Sequence, residues 1–410
     1  MKWFSGPFHF LLEAIMINEI RNHIEENKEA ILKVSHDIHE RPELGFEEFE
    51  SSKIMCDYLE SLGYEVKRGI GKFETAFKAS LGSKGPKIAV LAEYDALPGI
   101  GHGCGHNVIS AVAAGLAAGL GPLIKSNQLK GQVVVIGTPA EETGGGKIEL
   151  LKLGVFEDVD YVMMVHPGST NMVKRGGTAL VELQVAFQGK RAHSSVPENG
   201  INALKALIQI FTGIDAMQGE FPLGININGI IKEGGQASNI IPEKASAEFI
   251  IRGLRLMDLK QVKDKIKRVI QAAEVMTGAK ATYDFKLPYA ERYPNPVMAD
   301  KFKEIMESLG QEVVYPEPQM KLGSSDIGNV SLYKPTIHPY IKIGDNLKAH
   351  TLMFTEASKS SCADDMILTA AKALAELAVK LINDSGLRQE VNDAFKAQVP
   401  DYSDFKFEEV

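Results

Sequence analysis

Three short apolar runs, residues 88–92, 133–137 and 161–165, constrain the fold of this chain more than any other feature. None alternates with polar residues, and each is followed by a polar turn. A strand with one face in water reads with a period of two, whereas a strand covered on both faces reads as a continuous apolar run. Stretches rich in Ala, Leu and Gly lie between them, at 108–120 and 148–153, and read as helices. The order predicts an α/β fold, a central mixed sheet flanked by helices. Ligand residues are then expected at the strand ends, where sheets of this type bind.

Ile20, Ile24, Ile31, Val34 and Ile38 share one helical face, so the chain is expected to open with an amphipathic helix. It should end near Arg41-Pro42, because the residue before a proline is pushed out of the helical region. A second helix is expected over 47–62, stopped by Gly63. From about Ala179 the texture changes: 183–187 and 247–252 read as strands, 202–218 and 259–276 as amphipathic helices. Strand, helix, strand, strand, helix describes a smaller α+β domain, expected over 179–292, inserted between two parts of the first domain at 16–178 and 293–400. Strand signals at 336–343 bring the chain back to the first sheet. The acidic tail, 401–410, is expected to fray.

At 410 residues there is room for two domains. The net charge of -8 argues against a nucleic-acid partner. No apolar run is read as reaching the roughly 18 to 20 residues of a membrane span, so no membrane partner is expected. Residues 1–17 hold one Lys, a Glu at position 13 and no small-residue cleavage site; no signal peptide is expected, and Met16 is an alternative start. Three cysteines cannot form a disulfide framework, which points to a reducing cytoplasm. Cys56 and Cys362 read as small core residues.

Cys104 is different because of its neighbours. It stands two residues before His106 in a Gly-rich segment that begins Tyr94-Asp95-Ala96-Leu97-Pro98. A thiolate and an imidazole at that spacing can converge on one metal ion. Glu141-Glu142 follows the second apolar run, and two adjacent carboxylates there are costly to desolvate unless something positive sits beside them. On an extended backbone they would point to opposite sides, one to a metal and one to a water. The glycines at 144–146 would let the backbone approach closely. His166 follows the third run, and His350 lies late in the chain. Taken singly, each has a plain reading as an idle turn, a solvated acidic loop or a core histidine.

In order, Asp-Ala-Leu-Pro at 95–98, Gly-Cys-Gly-His at 103–106, Thr-Pro-Ala-Glu-Glu at 138–142 and Val-His-Pro at 165–167 resemble the M20 family of metallopeptidases and amidohydrolases. Gly-Lys-Arg-Ala-His-Ser-Ser at 189–195 and Ser-Asn-Ile-Ile-Pro at 238–242 resemble its inserted domain, and the resemblance runs from about Ile20 to Leu381. The branch it is most similar to holds aminoacyl-amino-acid, auxin-conjugate and aminobenzoyl-glutamate hydrolases. The resemblance implies a zinc-exopeptidase-like catalytic domain with an inserted dimerisation and lid domain. It also implies two divalent ions per subunit, zinc by default with manganese or cobalt as alternatives. Cys104 would bridge them, with His106, Glu142, His166 and His350 completing the ligands. Glu141 would be the general base and Asp95 would orient a ligand. His193 would reach the partner subunit's site to steady an oxyanion, and Asn239 and Arg252 would hold a substrate carboxylate. Asn107 departs from the Asp of many relatives, which bears on substrate class rather than metal binding.

The resulting expectation is a homodimeric metal-dependent hydrolase that cleaves the amide of a dipeptide or N-acyl amino acid with a free carboxylate. Two alternatives stand beside it: a cysteine hydrolase with Cys104 as nucleophile and His106 as base, and a catalytically silent metal-binding protein on the same fold.

Overall fold

The computed structural model describes residues 7–402, in two compact units. Among these, the first comprises residues 7–176, 293–321 and 329–400, the second 177–292, 322–328 and 401–402.

The first unit is built on strands β1 (Glu65–Ile70), β2 (Phe73–Leu81), β3 (Lys87–Ala92), β4 (Gln132–Gly137), β5 (Tyr161–Met163) and the short return strand Thr336–Ile337. They lie in the order β1-β2-β4-β3-β5-return strand. β1 pairs with β2, and β2 with β4, antiparallel; the remaining pairs are parallel. The sheet is therefore mixed, as expected. The three apolar runs are its inner strands, and in β3 and β4 every residue after the first is buried. The third strand stops at Met163, and His166 opens a separate short strand, His166–Gly168, parallel to Tyr340–Lys342. The β1–β2 hairpin carries no comparable signal, because β1 is largely exposed and mixes charge with apolar residues.

The expected opening helix is two helices, α1 (Pro7–Glu26) and α2 (Lys28–His39). The Asn27 amide donates to the His23 carbonyl at 2.8 Å, the local side-chain competition with the backbone that disfavours Asn inside helices. All five expected apolar positions are nevertheless buried. Next come α3 (Phe49–Ser61), α4 (His106–Lys125) and α5 (Gly146–Lys152). α4 corrects the membrane reading: by length and composition it is apolar enough to cross a membrane, yet 94% of its apolar window is buried inside the protein. It packs against α1, α2, α3 and the helix Ser361–Asn383. A Cβ on Gly115 would stand 2.7 Å from that of Ala371, so Gly permits the close crossing.

The second unit carries a four-stranded sheet, one strand more than the sequence suggested, and a short antiparallel pair, Ala192–His193 with Ile240–Ile241. Its antiparallel sheet runs Lys280–Phe285, Ala179–Gln188, Lys244–Gly253, Asn226–Glu233, covered by helices Ala203–Ala216 and Leu256–Thr277. Tyr402 is buried and donates to Glu291, so the tail is not frayed there; the expectation for 403–410 and any reading of 1–6 lie outside the described residues. Cys56 is buried as expected, whereas Cys362 is exposed.

Candidate metal centre

The parallel strands deliver their C-terminal turns to one place in the first unit. β3 ends just before Glu93-Tyr94-Asp95, and β4 just before the Glu141-Glu142 turn. His106 is the first residue of α4 because Gly105, at φ 74°, makes the entry; a Cβ there would meet Pro167 at 2.7 Å. The His350 N–H donates to the Gly103 carbonyl at 2.9 Å and ties the late histidine to the same segment. Ala140 (φ 57°) and His350 (φ 64°) hold left-handed conformations that residues with a Cβ rarely adopt, and strain of this kind gathers at functional sites.

Ligand atoms from Cys104, His106 and His166 lie within 4.8 Å of one another, as do those of Cys104, Glu142 and His350, and of His106, Glu141 and Glu142. These overlapping trios bring together all five expected ligands and the expected base. Glu141 and Glu142 sit in a turn rather than on extended backbone, so the expectation that they face opposite sides is corrected: both reach the cluster. Cys104 Sγ is 3.7 Å from His166 Nε2, and Glu142 Oε1 is 3.5 Å from His350 Nε2.

Asp95 lies behind these groups. Its Oδ1 accepts from His106 Nδ1 at 2.8 Å and its Oδ2 from the Glu142 N–H at 2.9 Å, so each oxygen fixes a different ligand. With Nδ1 engaged, His106 presents Nε2 to the cluster. Glu93, which the sequence reading missed, lies 3.4 Å from that Nε2 and pairs with the fully buried Lys147 at 2.6 Å. The signal was present, because residues two apart on an extended segment share a face and so Glu93 and Asp95 can grip one imidazole. Burial opposes charge on His106, yet Asp95 and Glu93 more than offset it and hold its pKa well above the ordinary value. Burial pushes His166 down to about 4, keeping it neutral and fit to ligate. Burial raises the Cys104 thiol, which speaks against a free thiolate nucleophile.

His106 Nε2 and Glu142 Oε1 are buried and make no hydrogen bond. Orphaned polar atoms in a group of thiol, imidazoles and carboxylates are what a bound cation would satisfy. The residues fit divalent metal.

The three remaining candidates belong to the second unit. His193 is exposed, and its Nδ1 accepts from the Ser195 N–H at 3.2 Å, which leaves the proton of a neutral ring on Nε2. Asn239 is exposed, its carbonyl accepting the Ser194 N–H at 3.0 Å. Arg252 is partly buried on the strand Lys244–Gly253 and donates to Ser324 at 3.0 Å.

Residues 175–276 match the peptidase dimerisation domain of M20 proteins. The chain is 33% identical over 395 residues to an Xaa-Arg dipeptidase from Mus musculus, covering 92% of this chain and 91% of that one. It is 26% identical to a subunit of the p-aminobenzoyl-glutamate hydrolase of Escherichia coli, over 90% of this chain and 92% of the relative. Among solved structures, a Bacillus subtilis protein described as a dinuclear metal-binding peptidase shares the fold. Its TM-score is 0.63 at 23% identity, over 91% of this chain and 99% of that one.

Proposed function

Because the chain belongs to the M20 family of metallopeptidases and amidohydrolases, and is with them a metal-dependent hydrolase of peptide or amide bonds, we propose that it is an exo-acting dipeptidase for substrates with a free C-terminal carboxylate. The carrying observation is the convergence of Cys104, His106, Glu142, His166 and His350 with Glu141 beside them. Cys104, His106, Glu142, His166 and His350 would hold two divalent ions there, with zinc favoured by the thiol and imidazoles and manganese or cobalt as alternatives. Once bound, they would supply a water of lowered pKa and a polarised carbonyl.

The protein's own groups do the rest. Glu141 takes the proton of the attacking water and returns it to the leaving amine. Asp95 holds His106 and the Glu142 backbone in place. His193 of one subunit offers its Nε2–H to the oxyanion in the other, a contact often worth about 3 kcal/mol. Arg252 and Asn239 hold the substrate carboxylate. The dimer is supported by the family match and by the strand Asn226–Glu233, a sheet edge where Ile230 and Ile231 are 54% and 48% exposed. Three unpaired cysteines support a reducing, cytoplasmic setting.

The Xaa-Arg relative directs the substrate panel first to dipeptides with a basic C-terminal residue. The aminobenzoyl-glutamate relative favours a second reading, an N-acyl amino acid amidohydrolase. Elemental analysis followed by cleavage of both substrate sets, with and without chelator, tests the proposal. About two ions per subunit and chelator-sensitive cleavage of dipeptides are expected. Cleavage by metal-free protein would overturn the mechanism and return the chemistry to Cys104.

A further inference from the structure

The loop over residues 45–48 sits on the turn that carries Glu141, and the mechanism gives it no task. Ala140, just before Glu141, is fully buried in its left-handed conformation, which persists only where neighbours over-determine it. A Cβ on Gly45 would stand 2.8 Å from that of Ala140, so the loop backbone packs flush on the turn. The Phe46 ring fills the space where a Cβ on Gly144 would lie, 2.2 Å away. Glu48, fully buried, accepts the Ala140 N–H at 2.8 Å with one oxygen and the Thr75 hydroxyl at 2.9 Å with the other.

Glu48 stands at the N-cap of α3, yet its side chain makes no capping bond. Glu43 does that work, accepting the Glu50 and Ser51 N–H groups at 2.9 and 2.8 Å. Glu48 is thereby free to turn to Ala140. A buried carboxylate is a costly way to fill space, and burial followed by the nearby Asp95 pushes its pKa up to about 7. An apolar side chain would fill the volume at less cost; only an acceptor can hold the Ala140 N–H.

We propose that Glu48 is a positioning residue for the general base, holding Ala140 in its left-handed turn and so aiming Glu141 at the reacting water. The inference rests on Glu141 being the base. The test compares Glu48→Met, Glu48→Gln and Thr75→Val with wild type and with Glu141→Gln, reading kcat, KM, metal per subunit and Tm. Glu48→Met is expected to lose roughly ten- to a hundred-fold in kcat, with KM and metal content near wild type. Glu48→Gln keeps an amide oxygen for Ala140 and should recover most of kcat. Thr75→Val removes only the other hydrogen bond and should lower Tm while sparing kcat. A folded Glu48→Met with wild-type kcat would overturn the proposal, as would kcat losses that track Tm across the series. If Glu48→Met does not fold, Glu48→Ala, which also removes the acceptor, replaces it, and wild-type kcat there has the same force. Turnover retained by Glu141→Gln would remove the base assignment and the inference with it. An inactive Glu141→Gln beside a fully active Glu48→Met would remove the inference alone.

Discussion

Replacing Asp95 by Asn changes one atom's chemistry and should weaken metal binding by roughly ten- to a hundred-fold. Asp95 Oδ1 accepts from His106 Nδ1 and Oδ2 from the Glu142 N–H, at 2.8 and 2.9 Å. An amide has one acceptor and one donor where the carboxylate has two acceptors. If the NH2 faces Glu142, two donors collide and the ligand's backbone shifts. If it faces His106, it opposes an Nδ1–H that the backbone carbonyl of residue 95, 2.9 Å away, keeps on that nitrogen, and the two donors push the imidazole out of place. Either arrangement spoils one ligand. Outer partners of this kind carry about 10- to 100-fold in affinity, or about 1.4 to 2.8 kcal/mol. Chelator-competition titration with Zn²⁺ reads the affinity, and the visible spectrum of Co²⁺-loaded protein reports the ligand field. Affinity within about two-fold of wild type, with an unchanged Co²⁺ spectrum, would refute the reasoning.

Glu141→Gln should retain metal and lose about 10²- to 10⁴-fold in kcat, checked by steady-state kinetics beside elemental analysis. Removing the metals should lower Tm, since a ligand at about 100 times its Kd stabilises the native state by about 2.7 kcal/mol; differential scanning calorimetry of apo and loaded protein measures it. The raised pKa of Glu48, from 4.5 to about 7, means the folded state holds a proton that the unfolded state has released across that window. Its contribution is therefore full below about pH 4.5 and lost as pH rises through about 7. Glu48→Gln should gain stability relative to wild type on going from about pH 5 to pH 8, by at most about 3 kcal/mol, measured by denaturant titration at both ends. A Cβ on Gly146 would lie 1.9 Å from the Pro139 carbonyl oxygen, so Gly146→Ala must displace the Glu141 turn. It should lower both Tm and kcat, the stability loss being about 1–3 kcal/mol.

Elements whose pattern is dictated by burial were legible in the residues alone. Continuous apolar runs have one good solution, a strand covered on both faces, and β3, β4 and β5 lie where the runs are. The ligand residues were legible for a related reason: thiol, imidazole and paired carboxylate side chains beside buried strands are costly unless something uses them. Local chemistry that competes with the pattern was less visible. Asn27 breaks the first helix, and the β1–β2 hairpin is too exposed to show its period. The apolar stretch of α4 is a core helix because four other helices pack on it, which no window of its own sequence reveals.

How the site is held depends instead on the closing of distant segments. Glu93 reaches His106 and Lys147 from different elements, and Glu48 reaches Ala140 across 92 positions of chain. Glu141 and Glu142 share one cluster because the backbone turns left-handed at Ala140, against the preference of an L-residue. Contacts between distant segments, and strain that those contacts hold in place, are set by how the chain folds back on itself. They leave no periodic trace in the residues that make them.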